Sequence, residues 1–131
     1  MALQRCAMTE RFPGFKYQGD QSAGAWEGTL QPRDVSPAYR VRIGYRLGDV
    51  PQVKIVWPDI VPGVHHLWQD GTLCLYYPKE WIWNSNCIMA LTIVPWTALW
   101  LLYYELWLDT GKWLGSSVRD SEAKSVNEVT R

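Results

Sequence analysis

Alternating polar and apolar positions dominate the middle of the chain. In residues 39–47 the odd positions hold Tyr, Val, Ile, Tyr and Leu, whereas the even positions hold Arg, Arg, Gly and Arg. A period of two places one set of side chains on a core and the other in water, which predicts a strand with one solvated face. Residues 53–57 alternate again after a turn at Gly48 and Asp49. The two stretches therefore predict neighbouring strands of an antiparallel meander.

Two earlier stretches and one later stretch complete the predicted elements. Residues 12–17 are short and aromatic and predict an edge strand, and residues 25–30 alternate loosely and predict a second strand. Residues 93–110 predict one long helix, which Thr92 would cap and Gly111 would end. Strands followed by a dominant helix favour an α+β fold with the helix on one sheet face.

The remaining segments show no clear period. Residues 58–86 are too aromatic for a disordered loop, and long irregular loops in compact domains are usually functional. Residues 1–12 contain no apolar run, so we predict a mobile start that holds Cys6. Residues 115–131 are rich in Ser and charges, so we predict a mobile polar tail after a single domain over residues 1–114.

Composition narrows the class of protein. The 131 residues suit one domain, and 47% of them are apolar, including nine Trp and seven Tyr. Thirteen basic and thirteen acidic residues give no net charge, which argues against nucleic-acid binding. Three cysteines, an odd number, and a start without a secretory signal predict a reducing, cytoplasmic setting.

One stretch leaves a membrane alternative open. Residues 88–108 contain a single charge, Glu105, and are long enough to span a bilayer. Pro95, Thr92 and Thr97 interrupt this stretch, and a buried helix can also be apolar all round. We therefore predict a buried helix, with a small single-span membrane protein as an alternative.

A short motif in the irregular segment carries the candidate chemistry. Gly71-Thr72-Leu73-Cys74-Leu75 is followed by Trp81, seven residues after the cysteine, and by Ala-Leu-Thr-Ile at residues 90–93. With the strand order, these features resemble the ubiquitin-conjugating enzyme family over about residues 12–110. The resemblance implies a UBC-like four-stranded meander with one long helix packed on it and with reduced N-terminal and C-terminal helices. It also implies that Cys74 is the nucleophile of a thioester-forming transferase that needs no cofactor or metal.

The resemblance assigns further roles in the same segment. His66 stands eight residues before Cys74, where the family has an Asn, and is predicted to donate a hydrogen bond or accept a proton. Lys79 and either histidine are predicted to stabilise the thiolate. The predicted substrate-binding residues are Trp81, Tyr76, Tyr77, Lys79 and His65.

The aromatic run LCLYYPKEW at residues 73–81 resembles a narrower group, the conjugating-enzyme-like proteins of bacterial anti-phage (CBASS-type) operons. Those proteins accompany a cGAS-like nucleotidyltransferase and act on its C-terminus. The resemblance therefore implies that this chain binds a protein partner through the partner's C-terminal tail.

Other interpretations of the same residues stay open. His65, His66, Cys74 and Cys87 are four possible zinc ligands, but their spacing fits structural zinc sites poorly. Cys87, shortly before the predicted helix, is a second possible nucleophile. An ordinary structural role is the alternative to catalysis for the histidines. Core packing is the alternative to substrate binding for the aromatic residues. A non-catalytic UBC-like scaffold with a buried Cys74 is the main alternative function.

Overall fold

The computed structural model describes residues 1–115, which form four strands between two helices. The elements are α1 (Ala2–Arg11), β1 (Lys16–Gly19), β2 (Ala23–Leu30), β3 (Tyr39–Arg46), β4 (Gln52–Trp57) and α2 (Ile93–Thr110). Each strand pairs antiparallel with the next, in the order β1-β2-β3-β4. The predicted α+β meander with one long helix is confirmed. The tail predicted for residues 115–131 lies outside the described residues, apart from Gly115.

One face of the sheet forms the core and the other is solvated. In β3 the side chains of Val41 and Ile43 are fully buried, whereas Arg40, Arg42 and Arg46 are exposed. The predicted solvated row of arginines is therefore confirmed. Arg42 lies opposite Glu27 of β2, with Nη1 3.7 Å from Oε1. Exposed pairs of this kind contribute little to stability.

The first strand begins later than the sequence pattern indicates. Residues 12–17 were the predicted edge strand, but the chain turns at Pro13 and Gly14, and the N–H of Phe15 donates to the carbonyl of Phe12 at 2.9 Å. Phe15 is buried, so its side chain contributes to the core before the strand pairing begins at Lys16. The strand remains at the edge of the sheet, as predicted.

The start of the chain is helical, which corrects the prediction of a mobile segment. In α1 the side chains of Gln4 and Met8 are buried, and Cys6 lies on the exposed side of the helix. Gln4 Nε2 donates to the carbonyl of Cys87 at 2.6 Å, and Gln4 Oε1 accepts from the N–H of Met89 at 3.0 Å. A buried glutamine gives no apolar signal in the sequence, so the docked face of this helix was missed.

The long helix α2 has the predicted bounds. Gly111 follows it with a left-handed φ of 75°, which an L side chain rarely adopts, and its N–H donates to the carbonyl of Trp107 at 2.8 Å. Thr92 occupies the N-cap position, but its hydroxyl donates to the carbonyl of Ile88 at 2.9 Å and does not cap the helix. Pro95 falls in the first turn, where no N–H is needed.

Helix α2 packs its buried face into the core that the sheet and α1 share. Ile93, Val94 and Leu101 of the helix are buried in the same cluster as Met8 of α1 and Ile43 of β3. Burying a side chain of this size stabilises the fold by about 2 kcal/mol. Within residues 1–115, no helix is both long and apolar enough to cross a membrane.

Glu105 of α2, the one charged residue in positions 88–108, is buried in a polar cluster. Glu105 Oε1 accepts hydrogen bonds from Ser36 Oγ at 2.7 Å and from Arg33 Nε at 2.9 Å, and Oε2 accepts from the Tyr39 hydroxyl at 2.7 Å. Burial raises the pKa of Glu105, but these three donors outweigh it and hold the pKa below its usual value. The carboxylate thereby fastens the β2–β3 loop to the helix.

Candidate active site

The segment with the candidate nucleophile is a short hairpin over residues 66–74. The N–H of Cys74 donates to the carbonyl of His66 at 2.9 Å, and Leu67 pairs with Leu73 in an antiparallel bridge. The turn of the hairpin includes Gly71, with a φ of 87°. The structure therefore brings Cys74 and His66, eight positions apart, to opposite positions on paired backbones.

Hydrogen bonds attach this hairpin to both the sheet and the long helix. The N–H of Leu73 donates to the carbonyl of Val53 in β4 at 2.8 Å. The indole Nε1 of Trp100 in α2 donates to the same His66 carbonyl at 3.1 Å. The hairpin is thus held between the sheet edge and the long helix, which fixes the backbone on both sides of the cysteine.

The thiol of Cys74 is half-buried. Its Sγ lies 3.7 Å from the carbonyl oxygen of Tyr76, which accepts a weak hydrogen bond from it. Burial raises the pKa of the Cys74 thiol from 9.0 to about 11. At rest the sulfur therefore carries its proton. The thiolate stabilisation that the sequence predicted for Lys79 is not a cause of this shift, since burial alone accounts for it.

His66 is buried rather than open to solvent. Its ring lies 4.1 Å from the indole of Trp113, at an interplanar angle of 33°, and only 5% of the residue is exposed. Trp113 follows the end of α2 and also contacts Trp100 and Tyr103. The residue predicted as donor or base thus lies beneath an indole that the sequence analysis did not connect with it.

Aromatic rings surround the segment that follows the cysteine. Tyr76 contacts Trp81 edge-on, with ring centroids 4.8 Å apart, and both rings pack on Trp96 of α2. Burial raises the pKa of Tyr76, and negative charge on Cys74 or Cys87 raises it further. The structure brings together Tyr76 and Trp81, two of the predicted substrate-binding residues. Their rings pack against each other.

The other predicted binding residues are Tyr77, Lys79 and His65. Lys79 is exposed, with its Nζ 5.9 Å from the ring centre of the half-buried Tyr77. His65 is exposed, and its ring centroid is 6.5 Å from that of His66. Lys79 and His65 are thus open to solvent, whereas His66 is buried and the rings of Tyr76 and Trp81 pack on each other.

The second candidate nucleophile has a different environment. Cys87 Sγ accepts from the N–H of Asn84 at 3.5 Å, and the carbonyl of Cys87 is bound by Gln4 of α1. Its backbone is therefore engaged in docking the N-terminal helix. Within residues 1–115, no three His, Cys, Asp or Glu side chains converge as possible metal ligands.

Trp96 and Trp113 are the site residues that the sequence reasoning missed. Trp96 lies on α2, four residues before Trp100, and that spacing places both on one helix face. This spacing was a signal that could have directed Trp96 toward the site. Trp113 gave no comparable signal, because its place over His66 depends on how the chain turns after Gly111.

Comparison with known protein families identifies the family of this chain. A family model described as the type II CBASS E2 protein matches residues 4–120, from α1 through the hairpin and past the end of α2. The chain belongs to this family. No curated protein matches the chain.

Membership in the CBASS E2 family confirms the resemblance to conjugating enzymes of bacterial anti-phage systems. It indicates a conjugation-related role with protein partners in the CBASS system. The role of Cys74 as the catalytic cysteine of the motif at residues 71–75 stays a prediction.

Proposed function

We propose that this CBASS E2 protein forms a thioester between Cys74 and the C-terminal carboxyl group of a protein partner, a cGAS-like nucleotidyltransferase, and passes the acyl group to an amine. The observation that supports this proposal most directly is the hairpin, which holds a half-buried cysteine against His66 through the backbone. A thioester enzyme needs such a fixed and reachable sulfur.

The reaction requires an activated carboxyl group, such as an acyl-adenylate or another thioester. Cys74 Sγ attacks its carbonyl carbon, a new C–S bond forms, and the activating group leaves with the bonding electrons. The thiol proton passes to a base or to the leaving group. An amine then attacks the thioester, the new amide forms, and the thiol is regenerated.

His66 and the predicted binding residues have supporting roles in this proposal. His66 stands where the family has its Asn, so its ring is proposed to steady the developing oxyanion or the active-site hairpin. Lys79 and His65 are exposed and Tyr77 is half-buried, and these side chains are proposed to make the first contact with an incoming tail or amine. Tyr76 and Trp81 form an aromatic pair in the segment that follows the cysteine.

The test is a thiol-sensitive adduct with the candidate nucleotidyltransferase, in the presence of ATP and the candidate activating enzyme, on non-reducing gels. We expect wild type and Cys87→Ala to form the adduct and Cys74→Ala to lose it. Cys74→Ser is expected to trap a more stable ester. An adduct that persists in Cys74→Ala and disappears in Cys87→Ala would contradict the assignment.

A non-catalytic scaffold is a second candidate, because burial raises the pKa of Cys74 to about 11 and lowers the reactivity of the sulfur at neutral pH. A scaffold would bind the same partner with unchanged affinity after Cys74→Ala and would form no adduct. Tight binding without an adduct, under conditions in which the partner's carboxyl group is shown to be activated, favours the scaffold.

A further inference from the structure

A groove of about 330 Å³ adjoins the segment that carries the nucleophile. Leu73 and Leu75 line it, whereas Cys74 between them does not. Thr72 and Tyr76 line it as well. The groove therefore lies against the backbone that carries the sulfur.

The lining of the groove is mainly apolar and partly exposed. Ile82, Val50 and Trp68 at its rim are 76%, 47% and 46% exposed, and Trp83 at its base is buried. Exposed apolar side chains that converge on one concavity mark a binding surface more often than scattered ones do. The volume suits one or two large side chains rather than a folded domain.

Among the described residues that line the groove, Asp70 alone carries a formal charge. Hydrogen bonds from the side chain and the N–H of Thr72 hold the pKa of Asp70 below its usual value, so it is a carboxylate at neutral pH. An acidic group at the edge of an apolar groove favours a ligand with a basic group beside an apolar one.

We propose that the groove binds a large apolar side chain in the extended C-terminal tail of the partner, with a basic residue next to that side chain. This inference rests on the proposed function, because the tail must approach Cys74 along the backbone that forms the groove wall. An anchor a few residues before the terminal carboxyl group would select the tail and fix its register over the sulfur.

The test uses fluorescein-labelled hexapeptides of Gly and Ser in which one Phe is moved through positions two to six from the C-terminus. We expect at least one Phe peptide to bind the full chain about tenfold more tightly than the all-Gly/Ser peptide, as a buried aromatic contact allows. Ile82→Ser and Trp68→Ser should remove this preference. Val35→Ser, at an 83% exposed apolar residue outside the groove, is the matched control and should retain it.

Charge is tested in the same assay. A Lys beside the Phe should tighten binding further, and Asp70→Asn, which keeps the oxygen that accepts from Thr72, should cancel that gain. Absence of any Phe preference, or a preference that survives Ile82→Ser, would overturn the inference. A dimer in sedimentation analysis that Ile82→Ser dissociates would instead assign the groove to a second copy of this chain.

Peptides with a C-terminal mercaptoethanesulfonate thioester separate this inference from the proposed function. Cys74 would displace the small thiol, which leaves with the thiol proton, and mass spectrometry would detect the peptidyl adduct. Phe-dependent binding without acylation supports the groove and argues against the transferase. Acylation of Cys74 with no Phe preference supports the transferase and overturns the groove.

Discussion

At the scale of single residues, the environment of each side chain decides what it can do. Cys74 stands in a motif typical of a nucleophile, yet burial raises the pKa of its thiol. His66 has the spacing of a catalytic donor, yet its ring lies beneath Trp113. In both cases the residue type allows the chemistry, and the packing around it sets how readily that chemistry occurs.

The pH dependence of alkylation is a direct test of the Cys74 environment. Because its pKa is raised from 9.0 to about 11, the thiolate fraction at pH 8 should be about 100-fold below that of an ordinary thiol. The rate of Cys74 carboxymethylation should therefore rise with pH until about pH 11. Peptide mapping after iodoacetate treatment measures this rate, and Cys74→Ser is the control for labelling at Cys6 and Cys87.

The same shift affects stability at high pH. The folded state holds the Cys74 proton more tightly than the unfolded state does, so the stability it contributes is complete below pH 9 and is lost as pH rises through about 11. In the alkylation test described above, a carboxymethylation rate of Cys74 that is half-maximal at or below pH 9 would contradict the buried environment.

A matched pair of substitutions at His66 tests its ring. His66→Ala and His66→Asn both keep the carbonyl that binds Cys74 and Trp100. If the ring supports the oxyanion, acyl transfer should fall by about 10²-fold in His66→Ala and recover in His66→Asn, the residue type found in the resembling family. Single-turnover rates at matched thermal stability measure this effect. Equal loss in both variants would assign His66 a packing role only.

At the scale of elements, two helices are fixed by buried polar side chains that accompany the apolar packing. Gln4 attaches α1 to the segment before α2, and Glu105 attaches α2 to the β2–β3 loop. Both side chains bond groups more than 60 positions away in the chain. The pattern of apolar residues therefore does not reveal the polar contacts that help to hold α1 and α2 in place.

Gln4→Ala should destabilise the fold by about 2 kcal/mol, because it leaves the buried N–H of Met89 without its acceptor. Chemical denaturation measures the change, and hydrogen exchange at Met89 locates it. Arg11→Ala, at an exposed position of the same helix, should change stability by less than about 0.5 kcal/mol. Equal effects of the two substitutions would show that α1 is not docked through Gln4.

Glu105→Ala should cost about 3 kcal/mol, since it leaves the Ser36 and Tyr39 hydroxyls buried without their acceptor. The lowered pKa of Glu105 means that its stabilisation is present above its ordinary pKa of 4.5 and is lost as pH falls through the folded value. Urea titrations from pH 7 to pH 3 measure this loss. Glu105→Gln should flatten the dependence of the unfolding free energy on pH. Asp109→Asn, at an exposed position of the same helix, should leave this dependence unchanged.

At the scale of the whole molecule, one core joins all the elements. The sheet face, α1 and α2 contribute to a single buried cluster, and the hairpin over residues 66–74 adds Leu73 to it. A domain with one continuous core is expected to unfold cooperatively. Leu73 thereby attaches the hairpin to this core.

The two polar attachments should act independently within this core. Twelve residues separate the start of α2 at Ile93 from Glu105, or about 18 Å along the helix axis. The destabilisations of Gln4→Ala and Glu105→Ala should therefore add to within about 0.5 kcal/mol in the double variant. Equilibrium denaturation of the wild type, the two single variants and the double variant measures this double-mutant cycle. A larger deviation would mean that α2 transmits strain between its ends.

Much of the architecture was determined by the sequence alone. The period of two in β3, the bounds of α2 and the order of the elements from β1 to α2 depend on neighbouring residues and were predicted correctly. In β4 the alternation holds for Val53 and Ile55, but Trp57 at the end of the strand is exposed. The motif at residues 71–75 indicated the family, which the match over residues 4–120 confirms. The roles of Cys74 and His66 stay predictions.

Only the tertiary structure decided how α1 docks, how Trp113 covers His66 and how strongly Cys74 holds its proton. These features depend on burial and on hydrogen bonds between residues far apart in the chain. A local pattern fixes which way a side chain faces within its own element. The free energy of a proton or of a polar group depends on everything that excludes water around it, and that is set only when the elements pack together.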